Sequence, residues 1–178
     1  MSEIMIAGFG GPGILAAGVM LANAGLLAGL QTTWLPSYGA TMRGGTANCF
    51  VKIDSEEIGS PYIDEADFLL AFNEPSLLKF HGTVKKGGCI FANSSLIRKE
   101  VPRSDVNVFY VPATERAREL GDVRTANVFM LGVLFSKTAL LPYESAAASL
   151  EDYFSAKSEK VIELNKRVFR AGYEWKEG

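Results

Sequence analysis

Gly8, Gly10 and Gly13 stand in the spacing G-x-G-x-x-G within "EIMIAGFGGPGI", residues 3–14, with Gly11 beside them. Glycines so spaced, between a strand and a helix, let the oxygens of a phosphate approach bare peptide N–H groups. The rest of a dinucleotide signature is missing. The second strand ends in Trp34, Leu35, Pro36 and Ser37, and no carboxylate follows before Asp54 to hold ribose hydroxyls. Pro12 removes one N–H from the turn, although its ring suits a helix start. No G-K-S/T follows, which excludes a P-loop. A nicotinamide-dependent dehydrogenase is therefore a poor fit. Two readings of the turn stay open: an anion cradle, or tight strand–helix packing with no ligand.

A second glycine loop is the more informative. In "PSYGATMRGGTANC", residues 36–49, Arg43 precedes Gly44 and Gly45 and lies near Thr41, Thr46 and Asn48. A guanidinium on such a loop grips a carboxylate or phosphate through two parallel hydrogen bonds. The alternative is an ion pair with a carboxylate of the same chain. Other polar candidates read as ordinary structure. Asp67 and Glu74 are expected to cap helices, His81 to close a helix at the surface, and Lys85 and Lys86 to form a solvated turn. Cys49 and Cys89 lie in apolar runs outside any C-x-x-C, and His81 is the single histidine. That inventory argues against a disulfide framework, a structural zinc site or an iron–sulfur cluster within the chain, and fits two buried thiols in a reducing compartment.

The elements that must position these residues follow from periodicity. Residues 4–7 read as a buried strand. Residues 14–30 read as a buried helix with Leu15, Val19, Ala22, Leu26 and Leu30 on one stripe. Gly18, Gly25 and Gly29 within it, each costing about 1 kcal/mol in a helix, imply close approach to neighbouring backbone. Residues 31–35 and 46–53 read as strands, and the order strand–helix–strand implies a parallel crossover. Further strands are expected at 68–72, 88–93 and 106–111. Helices are expected at 73–80, 114–120, 125–140, 143–154 and 159–175, the last with Val161, Leu164, Val168, Ala171 and Trp175 facing the core. The 178 residues, 48% hydrophobic and 21% charged, fit one α/β domain over residues 1–178 with a mainly parallel or mixed sheet and a helical C-terminal third. A formal net charge of -2 with interleaved signs offers no field for nucleic acid or an anionic membrane. The apolar stretch at 14–30 carries Asn23 and many small residues, so it reads as a core helix, not a membrane span, and a cytoplasmic protein is the expectation.

Taken together, "GFGGPGI", "WLPSYGATMRGGTANC", "IGSP", "EADFLLAFNEPSLLKF", "RTANVFMLG" and "VIELNKRVFRAGY" closely resemble the gamma subunit (catalytic domain III) of 2-oxoacid:ferredoxin oxidoreductases. The P-S-Y-G loop is similar to that of the 2-oxoglutarate and branched-chain members. Two positions depart from the family pattern: Pro12 replaces a glutamine, and Thr41 stands where a glutamate is usual. The resemblance implies a complex that decarboxylates a 2-oxoacid, 2-oxoglutarate first among the candidates, with coenzyme A, giving acyl-CoA, carbon dioxide and reduced ferredoxin. It implies thiamine diphosphate, magnesium and 4Fe-4S clusters on alpha, beta and delta partner subunits, because this chain lacks the ligands for them; self-association of the isolated subunit stays open. No catalytic or metal-binding residue is expected here. Gly8, Gly10, Gly11, Gly13, Arg43, Gly44 and Gly45 are expected to face either the phosphates of coenzyme A or a partner subunit.

Overall fold

Ile4, Met5, Ile6 and Ala7 carry nothing that seeks water, and they form the buried middle of β1 (Ser2–Phe9). In the computed structural model, which describes residues 1–9, 12–38 and 46–177, β1 lies inside a six-stranded sheet. The chain continues through α1 (Pro12–Leu27), β2 (Gln31–Tyr38), β3 (Thr46–Asp54), β4 (Ala66–Ala71), α2 (Glu74–Phe80) and β5 (Val84–Asn93). It then passes through β6 (Asn107–Val111), α3 (Ala113–Leu120), α4 (Ala126–Thr138), α5 (Tyr143–Phe154) and α6 (Glu159–Tyr173). The order across the sheet is β2-β3-β1-β4-β5-β6. Strands β1, β4, β5 and β6 are parallel, while β3 is antiparallel to both of its neighbours. The architecture is the expected α/β fold with a mixed sheet and a helical C-terminal third.

The crossover differs from expectation in one respect. β1 and β2 do point the same way, since each is antiparallel to β3, but β3 lies between them. The helix α1 therefore carries the chain across two strand positions, and β2 joins the sheet through its pairing with β3 alone.

Alternation along β1 divides the interior in two. Ile4 and Ile6 join a core with residues of α1, α3, α4, α5 and α6. Met5 points to the other face, with Leu69, Ile90, Leu77 and Ile63, where α2 and the connecting segments provide the cover. The two faces are thus unequally roofed: most helices lie on one side.

On α1 the deeply buried positions are Ile14, Ala17, Met20, Leu21 and Ala24. The stripe expected from the sequence lies partly elsewhere: Leu26 is 57% exposed, and Leu30 falls beyond the helix. Gly29, expected inside the helix, ends it. Its φ is +80°, its N–H donates to Leu26 O at 2.9 Å, and the N–H of Leu30 donates to Gly25 O at 3.0 Å. That paired arrangement needs a left-handed residue, which glycine adopts without steric cost. The close approach inferred for the α1 glycines is to side chains: a Cβ on Gly18 would stand 2.5 Å from Cys49 Sγ and 2.6 Å from Trp34 Nε1. Backbone-to-backbone contact occurs instead between α4 and α6. A Cβ on Gly132 would strike the carbonyl of Phe169 and stand 2.7 Å from the nitrogen of Tyr173, and one on Gly172 would strike the carbonyl of Phe129. Val168 and Phe169 on α6 are fully buried there, with Leu164, Ala171 and Trp175 packed against the same core, so the predicted stripe of α6 is interior.

Candidate functional site

Strand register places the two glycine segments at one rim of the sheet. Phe9 at the end of β1 pairs with Thr46 at the start of β3, and Ala47 pairs with Gly8 on one side and Tyr38 on the other. The chain therefore leaves β1 into the first glycine turn, and leaves β2 into the Arg43 loop, at the same edge. Two strand spacings, about 10 Å, separate the exits. On the other side of β1, Ala7 pairs with Ala71 of β4, and the N–H of Phe72 donates to Ala7 O at 2.8 Å. From this edge β1 is followed by a helix leading to β2, whereas β4 is followed by one leading to β5 in the opposite direction across the sheet. Parallel sheets bind ligands outside the strand ends where successive connections diverge in this way. The boundary between β1 and β4 is such a point.

Gly8 has a packing role. A Cβ there would stand 2.7 Å from Ile14 Cδ1 and 2.9 Å from Phe72 Cβ, so its hydrogen lets α1 and the end of β4 close on β1. Gly13 is different. The nearest atoms to an added Cβ belong to Asn127, at 3.7–3.8 Å, an ordinary contact distance. Neither its backbone conformation nor crowding requires glycine at 13. Gly10, Gly11, Arg43, Gly44 and Gly45 lie outside the described residues. Trp34 sits in mid-β2 opposite Val51, away from the rim. With Val19, Ala22, Leu26 and Tyr153 it lines a shallow apolar groove between α1 and α5, at whose side Asn23 Nδ2 donates to Asp152 Oδ2 at 3.1 Å. Phe9, at the rim itself, is 55% exposed.

Helix starts gather at the rim. Asn73 caps α2, its Oδ1 accepting from the N–H of Ser76 at 2.8 Å, while its Nδ2 and Ser76 Oγ are buried without a partner among the described residues. Asn93, closing β5, donates to Thr114 Oγ1 at 2.8 Å in the first turn of α3. Asn127, in the first turn of α4, donates its Nδ2 to Gly13 O at 3.0 Å. The first turn of any α-helix has N–H groups without acceptors in the helix itself, and the macrodipole favours negative charge there. Sequence reasoning passed over Asn127. The available signal was a carboxamide inside the otherwise apolar run "ANVFMLG".

The other singled-out residues are placed elsewhere. Glu74 lies in the first turn of α2, which Asn73 caps, and pairs with Lys99 at 3.0 Å. His81 is the C-cap residue of α2, and its carbonyl accepts from Arg103 Nη1 at 2.9 Å. Lys85 is not in a solvated turn and Asp67 caps no helix. They meet at the opposite rim, where Lys85 Nζ lies 2.8 Å from both Glu3 Oε2 and Asp67 Oδ1, and the N–H of Glu3 donates to Asp67 Oδ2 at 2.8 Å. Lys52 Nζ completes the group at 3.0 Å from Glu3 Oε1. Burial pushes the Glu3 carboxyl up, but hydrogen bonds from Lys85 and Lys52 outweigh it, and its pKa is lowered. Burial likewise opposes charge on Lys85, yet Asp67 and Glu3 carry its pKa upward. The pairing of these counter-charges over long sequence distance is invisible in local composition.

Cys49 is fully buried, its thiol pushed up by burial to about 12, with Sγ 3.6 Å from Ile14 O. A thiol so reluctant to ionise is a poor metal ligand. Cys89, expected to be buried, is only partly so. Among the described residues no helix is long and apolar enough to cross a membrane. With Ile14, Ala17, Met20 and Leu21 in the main core, α1 is the core helix expected.

Comparison with known proteins adds the following. The family model described as pyruvate ferredoxin/flavodoxin oxidoreductase matches residues 3–175. The ketoisovalerate oxidoreductase subunit VorA of Methanothermobacter marburgensis is 41% identical over 177 residues, which cover 97% of this chain and 36% of the relative. The chain thus spans about a third of that relative's length. The crystal structure of a keto/oxoacid ferredoxin oxidoreductase gamma subunit from Geobacter sulfurreducens superposes with a TM-score of 0.84 at 28% identity, covering 98% of this chain and 97% of that one. The 2-oxoglutarate:ferredoxin oxidoreductase of Magnetococcus marinus, solved with 2-oxoglutarate, coenzyme A and succinyl-CoA bound, superposes with a TM-score of 0.87 at 27% identity over 97% of this chain and 30% of that chain.

Proposed function

The chain belongs to the pyruvate ferredoxin/flavodoxin oxidoreductase family, and from that premise we propose that it is the gamma subunit of a multi-subunit 2-oxoacid:ferredoxin oxidoreductase. The complex oxidatively decarboxylates a 2-oxoacid with coenzyme A to acyl-CoA and carbon dioxide, and passes the electrons to ferredoxin. The gamma chain supplies binding geometry; thiamine diphosphate, magnesium and the 4Fe-4S clusters belong to alpha, beta and delta partners. Relatives named for ketoisovalerate and for 2-oxoglutarate leave both as substrate classes, and turnover with each decides between them.

The observation that carries the site reading is the register that brings the exits of β1 and β2 to one rim, beside the start of α1. In this reading Gly10, Gly11, Gly13, Arg43, Gly44 and Gly45 face the phosphates of coenzyme A. The residues fit such a group: helix-start amides favour an anion, and Arg43 adds a guanidinium. A second reading, in which these loops seat a partner subunit, is favoured by Phe9, exposed at the rim. Replacing Arg43 with Ala and measuring coenzyme A affinity and complex assembly separately distinguishes them. Weaker coenzyme A binding in an intact complex supports the phosphate site, dissociation of the complex supports the interface, and no change in either removes both.

A further inference from the structure

The described part of the glycine turn is tied to a point far away in sequence. Asn127 and Gly13 are 114 residues apart and share a hydrogen bond of 3.0 Å from Nδ2 to the carbonyl oxygen. Asn127 is 7% exposed, and its Cγ, Cβ and Nδ2 are the atoms nearest to the missing side chain of Gly13. The carboxamide therefore occupies the space beside the first turn of α1.

Its own anchorage is firm. Residues Ala126 to Phe135 of α4 are all buried, so the helix cannot shift without disturbing the core. A short 3₁₀ turn leads into it: Asp122 Oδ1 accepts from the N–H of Arg124 at 2.9 Å, and Thr125 Oγ1 donates to Asp122 O at 2.7 Å. The Arg124 guanidinium closes on both oxygens of the same carboxylate. Asn127 thus projects from a braced helix start onto the start of another.

A buried carboxamide in an apolar helix is costly unless it is bonded, and a leucine would pack as well. What the amide adds is direction. Its donor fixes where the Gly13 carbonyl points, and a peptide plane fixed at its carbonyl fixes the neighbouring amide as well. Gly13 and Ile14 carry first-turn N–H groups of α1 for which the helix has no acceptor.

We propose that Asn127 is the positioning residue of the glycine turn, holding the first turn of α1 against α4 so that its amides face the anionic ligand in one fixed orientation. This rests on the phosphate-site reading given above.

The test uses the complex purified with its partner chains. Asn127→Leu keeps the volume and removes the donor; Asn127→Asp keeps the shape and sets an acceptor against the Gly13 carbonyl, and serves if the leucine variant does not assemble. Binding is measured by calorimetry with desulfo-coenzyme A, and turnover with coenzyme A, each beside Arg43→Ala. Loss of one directed hydrogen bond weakens desulfo-coenzyme A binding and raises the KM for coenzyme A by about fivefold to tenfold. The KM for the 2-oxoacid and kcat at saturating coenzyme A hold, because reacting groups are untouched. A lowered melting temperature with unchanged coenzyme A constants overturns the inference, leaving Asn127 as packing alone. If Arg43→Ala weakens binding and neither Asn127 variant does, the inference falls and the phosphate site stands. If all three leave binding unchanged, the phosphate site falls with it.

Discussion

Glu3→Gln is expected to destabilise the folded chain by about 3 kcal/mol, although Glu3 lies at a strand start far from any proposed chemistry. The magnitude follows from who loses a partner. The Lys52 side chain is 9% exposed, and Glu3, 11% exposed, is its one carboxylate partner among the described residues, at 3.0 Å. Lys85 is less affected, because it is 35% exposed and keeps Asp67 at 2.8 Å. Breaking a buried ion pair by removing one partner costs about 3–5 kcal/mol, since a desolvated charge is left behind. The glutamine retains an oxygen that accepts one hydrogen bond, which places the loss at the lower end. For a chain of this size that corresponds to a fall in Tm of about 6–12 °C. Urea denaturation at neutral pH measures it directly. Glu3→Leu combined with Lys52→Met should recover most of the loss, because two apolar side chains carry no desolvation penalty. A cost for Glu3→Gln below about 1 kcal/mol, the range of exposed ion pairs, would refute the claim that this network is dry.

The same network sets a pH profile. Glu3 has a lowered pKa, so its contribution is present above the usual carboxylate range and is lost as pH falls through the folded value; Lys85 has a raised pKa, so its contribution is present below the usual lysine range and is lost as pH rises through the folded value. Melting scans should show a plateau from about pH 5 to about pH 10, with an alkaline limb that Lys85→Met reduces; an unchanged alkaline limb in that variant counts against the assignment. Gly132→Ala should cost about 2 kcal/mol or more by wedging α4 from α6, visible as a lower urea midpoint. A variant as stable as the parent would mean that the two helices separate freely. Iodoacetamide at pH 8 should modify Cys89 well before Cys49, whose thiol burial pushes to about 12; equal rates, read by mass spectrometry, would contradict the packing of β3 beneath α1.

Elements whose signal is local were legible in the sequence. Residues 143–154 were expected as a helix and form α5 with both ends in place, because Pro142 sets the start and the apolar spacing is regular. The buried strands β1 and β4 announced themselves as short apolar runs. What the sequence hid depends on pairing across distance. The antiparallel insertion of β3 leaves no mark in its own residues, since a buried strand reads alike in either direction. Lys85 looked solvated because its counter-charges are Glu3 and Asp67, 82 and 18 residues away. The apolar stripe of α1 was misplaced because the helix is apolar nearly all round, so periodicity had little contrast from which to choose a face. At the rim, Gly8 serves packing, while Gly13 is explained by no steric demand and acquires meaning only beside Asn127.

The insertion of β3 bears on function as well as topology. Had β2 paired directly with β1, the Arg43 loop would leave the sheet one strand from the glycine turn and lead away from it. With β3 between, β2 ends and β3 begins at the rim where β1 ends. The strand ends that flank the two glycine segments thereby share one edge by backbone pairing alone. Meanwhile the mutually paired group of buried Glu3 and Lys52 with half-buried Lys85 and Asp67 stands at the far edge. From Glu3 to Gly8 along β1 is about 17 Å, too far for those groups to exchange protons with anything bound at the rim. Perturbed titratable groups mark acid–base centres when they face a cleft, whereas Glu3 and Lys85 face each other and their counter-charges. In the reading proposed above, with a ligand bound at the rim, that separation keeps the paired charges apart from it.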